Sequence, residues 1–228
     1  MVRSGPRSGG SLRDNLPQGD IVRLLRRWVF RFALGLIGLA LSGCAINFTP
    51  QPIPQPFPQN APLPVSGFEL DYEPDLWNDA GIVQNSTNCY AYALDRRAGF
   101  PEGHKLQPGE LSGTPLATLA NVDVERIKEL VLADTEAADF TFEEVSAQDT
   151  CPSGTYKVAL VVDPGVDYHW YRQNPDGSWS HKPGHSEVTD LDAAGNTVLD
   201  PAAADRDYGF IDYSEFGGYF CTGAAAGE

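Results

Sequence analysis

Residues 156–182, YKVALVVDPGVDYHWYRQNPDGSWSHK, constrain the fold more than any other stretch. YKVALVV (156–162) is a near-continuous run of branched apolar residues and suits a central strand. DYHWYRQ (167–173) and SWSHK (178–182) flank Asn174-Pro175-Asp176-Gly177, where Pro sets the first turn dihedral and Gly accepts a positive φ. These signals predict a hairpin with a three-residue loop, a type I turn closed by a left-handed Gly. In that register Asn174 faces Ser178, Tyr171 faces His181 and His169 faces Pro183. His169 and His181 then become diagonal neighbours on one sheet face, roughly 7–8 Å apart at their backbones. A four-residue loop would send His181 to the other face.

Helical patterns come earlier in the chain. Ser86 or Thr87 can cap a helix over 87–98, ended by Gly99 and Pro101. Thr114-Pro115 is a helix start, and Leu116, Leu119, Ile127, Leu130 and Val131 suit one or two helices over 115–133, broken at 121–123. Further strands are expected at Phe140–Val145 and near 187–191 and 218–221. Helices first and strands after make an α+β order.

The folded region runs from 67 to 228 as a single domain. Before it, residues 47–66, NFTPQPIPQPFPQNAPLPVS, hold seven prolines and read as an extended tether without a core. Residues 1–43 read as a signal region: Arg23, Arg26, Arg27 and Arg31 precede or adjoin the apolar run Phe32 to Leu41. That run is too short for a bilayer span, which needs about 20 residues. It ends Leu41-Ser42-Gly43-Cys44, which resembles the lipobox of bacterial lipoproteins. The resemblance implies cleavage before Cys44, lipidation of its sulfur, a membrane partner through that anchor, and a bacterial cell-envelope address on the outer membrane facing the periplasm.

Seven of the 16 basic residues and two of the 31 acidic ones precede Cys44, which leaves nine against 29 and a net charge of −20 beyond it. Such a surface repels nucleic acid, so no nucleic-acid partner is expected. With Cys44 assigned to lipid, three cysteines remain. Cys151 and Cys221 lie near predicted strand ends and can pair in an oxidising compartment, leaving Cys89 as a free thiol. Pairing of Cys89 with either one, or a plain buried thiol, is the alternative.

Cys89 falls in the first turn of its predicted helix, where unpaired N–H groups favour a thiolate. A histidine must then serve as base, oriented by a third polar group. Cys89, His169 and His181 meet that pattern. A Cys at a helix start followed by a strand opening with His and a second His a dozen residues on resembles the NlpC/P60 and CHAP branch of papain-like cysteine peptidases and amidases. The resemblance covers about 85–182. It implies a papain-like α+β fold with the Cys helix on a small antiparallel sheet, with Cys89 as nucleophile, His169 as base and His181 as orienting residue. It also implies peptide or peptidoglycan substrates and no cofactor. The chain departs from the family in its Asn88-Cys89 pair and in Ser153-Gly154-Thr155 before the first strand. Oxyanion stabilisation would fall to the Cys89 N–H with Asn88 or Asn85; each Asn is otherwise a cap or turn residue. Asp167 is a second candidate orienter, or a plain strand-start residue.

Two rival readings stand beside the hydrolase. His169, His181, His185 and Asp167 could converge on zinc, although Pro183-Gly184 breaks any shared helix face for His181 and His185. His104 lies in a loop. A non-catalytic binding or structural protein is the other, with Tyr168, Trp170, Tyr171 and Trp179 either a ligand face or core.

Overall fold

The computed structural model describes residues 61–79, 83–97 and 101–224. The leader, Cys44 and most of the proline-rich tether therefore lie outside the described residues, and with them the signal and lipidation expectations.

Four short or medium helices precede and flank one sheet: α1 (Pro74–Trp77), α2 (Val83–Ser86), α3 (Cys89–Ala93) and α4 (Val124–Ala138), with a 3-10 turn at Leu119–Asn121. The strands are β1 (Phe140–Val145), β2 (Tyr156–Asp163), β3 (Asp167–Gln173), β4 (Trp179–His181) and β5 (Glu215–Ala224). They form a five-stranded sheet in the order β1-β5-β2-β3-β4, with every pairing antiparallel. This is the α+β architecture the element order predicts.

The apolar run of β2 sits between β5 and β3 and is buried along almost its whole length. Alternation splits its side chains between two cores. Val158, Leu160 and Val162 join Tyr168, Trp170 and the face of α3 and α4; Ala159 and Val161 join Tyr171, Trp179, Val198, Tyr213 and Tyr219. A continuous apolar strand is what two buried faces require.

The hairpin follows its turn chemistry. Asn174 N–H donates to Ser178 O at 2.8 Å, Gly177 N–H donates to Asn174 O at 2.9 Å, and Gly177 takes φ +83°. Tyr171 pairs with His181, as the three-residue loop predicts. The last tether residues pack against this turn: Leu63 is buried, its carbonyl accepts from Gln173 Nε2 at 3.0 Å, and Pro62 lies beside Gly177.

The helical expectations need correcting. The Cys89 helix does not run over 87–98; it spans five residues, capped by Asn88 rather than Ser86 or Thr87. Its end is set by Asp95 at φ +50°, with Arg96 N–H closing on Ala91 O at 2.8 Å, before Gly99 is reached. Thr114-Pro115 starts no helix. The break at 121–123 is present: Asp123 caps α4 by accepting from Arg126 N–H at 2.7 Å. The strand near 187–191 is reduced to isolated bridges, His181 with Thr189 and Leu191 with Thr197, whereas the last strand is longer than 218–221.

Candidate functional site

A cleft of about 430 Å³ opens where α3 meets the start of β3. α3 contributes Cys89, β3 contributes Asp167 to His169, and β4 contributes His181. The loop after α3 adds Lys105 and Gln107; the long β4–β5 connection adds Tyr208, Phe210 and Tyr213. The cleft thus gathers the three residues singled out as Cys89, His169 and His181.

Their relations are not those of an activated thiol. Cys89 is 6% exposed, and its S–H donates to Tyr168 O at 3.9 Å. Burial pushes the thiol up to about 12, and the Asp167 carboxylate adds to the shift. The helix behind it has five residues, too few aligned peptides to build much of a dipole. No hydrogen bond joins Cys89 to His169 among the described residues. Strand alternation explains why. Cys89 packs with Tyr168 and Trp170 in one core, while the His169 ring lies against Tyr171 and Tyr213 of the other, with centroids 5.3 and 5.4 Å away.

The two histidines form a directed chain. His181 Nε2 lies 2.9 Å from Leu191 O, and a carbonyl only accepts, so that nitrogen carries the proton. Neutral His181 then offers Nδ1 as acceptor, and His169 Nε2–H donates to it at 2.8 Å. His169 is left with Nδ1 as a bare acceptor. Burial keeps both rings neutral: it holds His169 well below its ordinary value and lowers His181 to about 4, against the pull of its Leu191 bond. These bonds occupy both His181 nitrogens and one of His169. Among the described residues no group of three or more His, Cys, Asp or Glu side chains could hold a metal ion, so the zinc reading loses its donor set.

The remaining candidates take structural places. Asn88 is engaged at both ends: Oδ1 accepts from Ala91 N–H at 3.1 Å and Nδ2 donates to Leu106 O at 2.8 Å. It serves as a helix cap and a loop clamp. Asn85 is an exposed residue of α2, away from the cleft lining. Asp167 accepts from Tyr213 Oη at 3.0 Å and from Tyr168 N–H at 2.8 Å rather than from His169; burial raises its carboxyl. His185 stands on the cleft rim, and His104 Nε2 lies 2.5 Å from Glu110. Cys151 and Cys221 are bonded, and Cys89 is free. Trp170, Tyr171 and Trp179 are buried core; Tyr168 is buried as well but lines the cleft.

The cleft residues missed by sequence reasoning are Lys105, Tyr208, Phe210 and Tyr213. The signal for the three aromatic residues is YGFIDY at 208–213, a cluster inside an acidic connection, where a large apolar residue is unexpected. Phe210 is 83% exposed.

No family model matches the chain, and no solved structure matches it. A curated relative does: the chain is 33% identical over 156 residues to insoluble matrix shell protein 1 of the bivalve mollusc Ruditapes philippinarum. The match spans 68% of this chain and 91% of the relative. This kinship overturns the bacterial lipoprotein reading, with its lipid anchor and envelope address, and the NlpC/P60- or CHAP-like cysteine peptidase reading. A short run of small residues before a Cys and a Cys…His…His spacing are patterns that unrelated chains produce, whereas identity over 156 residues requires common descent. The chain belongs to the family of insoluble matrix shell protein 1.

Proposed function

We propose that this protein is a non-catalytic structural component of an insoluble extracellular matrix, built on a papain-like arrangement whose cleft binds rather than cuts. The observation that carries this reading is the state of Cys89. Its thiol is buried, pushed up by that burial, and bonded to the Tyr168 carbonyl, with no hydrogen bond to His169 among the described residues. Cysteine catalysis needs the reverse, a lowered thiol beside a histidine that takes its proton. The likeness to a shell matrix protein over most of that protein's length supports the structural role. The Cys151–Cys221 disulfide suits an oxidising, extracellular setting. The papain-like description is supported by the Cys-bearing helix packed on the antiparallel sheet beside a paired His169 and His181.

Alkylation of the folded protein separates the two possibilities. With iodoacetamide near neutral pH, Cys89 is expected to stay unmodified in the native state and to label fully once the chain is denatured. Rapid native labelling, together with peptide cleavage that Cys89→Ala abolishes, would sink the structural reading.

A further inference from the structure

We propose that the cleft is the seat for the proline-rich segment 47–60 of a second copy of this chain, and that this contact, repeated head to tail, builds the insoluble matrix. The inference rests on the structural reading above and names the partner of the same site.

The chemistry of the two surfaces matches. Proline-rich extended segments dock into aromatic-lined grooves, because the ring faces stack and the segment loses little entropy. Here Phe210 and Leu119 stand 83% and 51% exposed at the cleft mouth, over a floor that includes Tyr168, Tyr208 and Tyr213. The segment NFTPQPIPQPFPQN carries five prolines with Ile53 and Phe57 between them. The cleft also presents an acceptor. His169 lines it and donates through Nε2 to His181, which leaves Nδ1 to accept. The side-chain amides of Gln51, Gln55 and Gln59 are donors of the right kind.

The point of entry selects a second copy over the same one. Pro62 and Leu63 pack at the β3–β4 turn, beside Gly177 and Gln173. The cleft lies at the opposite end of β3, at Asp167 to His169, about 20 Å away at strand rise. Fourteen extended residues at about 3.1 Å each span roughly 43 Å, about twice that separation, so a stiff proline-rich segment anchored at the turn overshoots its own cleft and is better matched to a neighbour's. A contact between two different patches does not close on itself and propagates as an open chain of copies. The segment is uncharged, so it can approach an acidic neighbour without adding repulsion of its own.

The test uses the full chain, followed by sedimentation over a range of concentration and salt. Wild type is expected to self-associate with rising concentration, and more strongly as salt screens the acidic domains. Phe210→Ala in the cleft and Phe57→Ser in the segment should each weaken association by about tenfold, as loss of an aromatic anchor does. Mixed together, the two variants keep one intact cleft and one intact segment between them. They are expected to form capped one-to-one pairs and no longer species. Free peptide 47–60 should dissolve wild-type assemblies. A wild type that stays monomeric, or association unchanged by both substitutions, overturns the proposal. So does a monomer whose segment is protected from protease by its own cleft. Retention in the matrix that survives Phe57→Ser removes this inference alone; peptide turnover by Cys89 would remove the structural reading beneath it.

Discussion

His169 and His181 are held neutral by the same burial that hides Cys89, and this has a measurable consequence for stability. The folded His181 sits near 4 against an ordinary 6.5, and His169 is shifted the same way. Between those values the unfolded chain binds more protons than the folded one, so stability rises with pH through that window. The contribution is fully present above about 6.5 and is lost as pH falls toward about 4. Thermal melts across this range should show the decline, and the His169→Phe, His181→Phe double variant should flatten it. Arg172 makes the second residue-scale case. It is 1% exposed, with its guanidinium 4.0 Å from the Tyr92 ring centroid and donating to Tyr92 O and Asp71 O, both at 3.2 Å. Arg172→Ala would leave two carbonyls unmet and a void under the ring, at a cost of about 3 kcal/mol in urea unfolding. Arg172→Lys should rescue little of it, because an ammonium lacks the planar fork and the stacking face.

At the scale of elements, the β3–β4 hairpin shows how local chemistry can decide a long-range relation. Pro175 and Gly177 set a three-residue loop, the loop sets the register, and the register brings two imidazoles within 2.8 Å. The Gly177 position is doubly constrained, since a Cβ there would meet φ +83° and lie 2.7 Å from Pro62 Cβ. Gly165 has a similar φ, +74°, but nothing within 4 Å. Gly165→Ala is therefore expected to lose about 1 kcal/mol from backbone strain alone, and Gly177→Ala clearly more, about 2–3 kcal/mol, because the tether must also move. Equal losses in denaturant unfolding would show that the Pro62 contact adds nothing. The hairpin was legible because turn residues act through their own backbone. The helix at Cys89 was less so. Its end depends on Asp95 taking a left-handed conformation that places its carboxylate near buried Arg172, 3.6 Å away, a partner 77 positions distant that no local pattern reveals.

For the whole molecule, the Cys151–Cys221 bond is the main covalent constraint among the described residues. It ties the segment leading into β2 to the neighbouring strand β5, through cysteines that lie 70 residues apart in sequence. Closing a loop of that length removes chain entropy from the unfolded state, so Cys221→Ser should lower stability by about 4 kcal/mol at 25 °C without altering the sheet. Calorimetry of the variant, with circular dichroism to confirm the strands, checks both parts. The expectation that these two cysteines pair came from their predicted strand ends; that the third stays free follows from its place under β3.

Taken by itself, the sequence determined the α+β order, the five main strands, the hairpin register, the break before α4 and the acidic character of the molecule. Each is a property of residues close along the chain or of composition alone. The tertiary structure decided which face of β3 meets Cys89, and this decided the chemistry. Helix-start position and His spacing are the same for an active thiol and for a buried one. The difference is whether the sulfur is bonded to an imidazole or to a main-chain carbonyl, and that is set by how α3 packs against Tyr168 and Trp170.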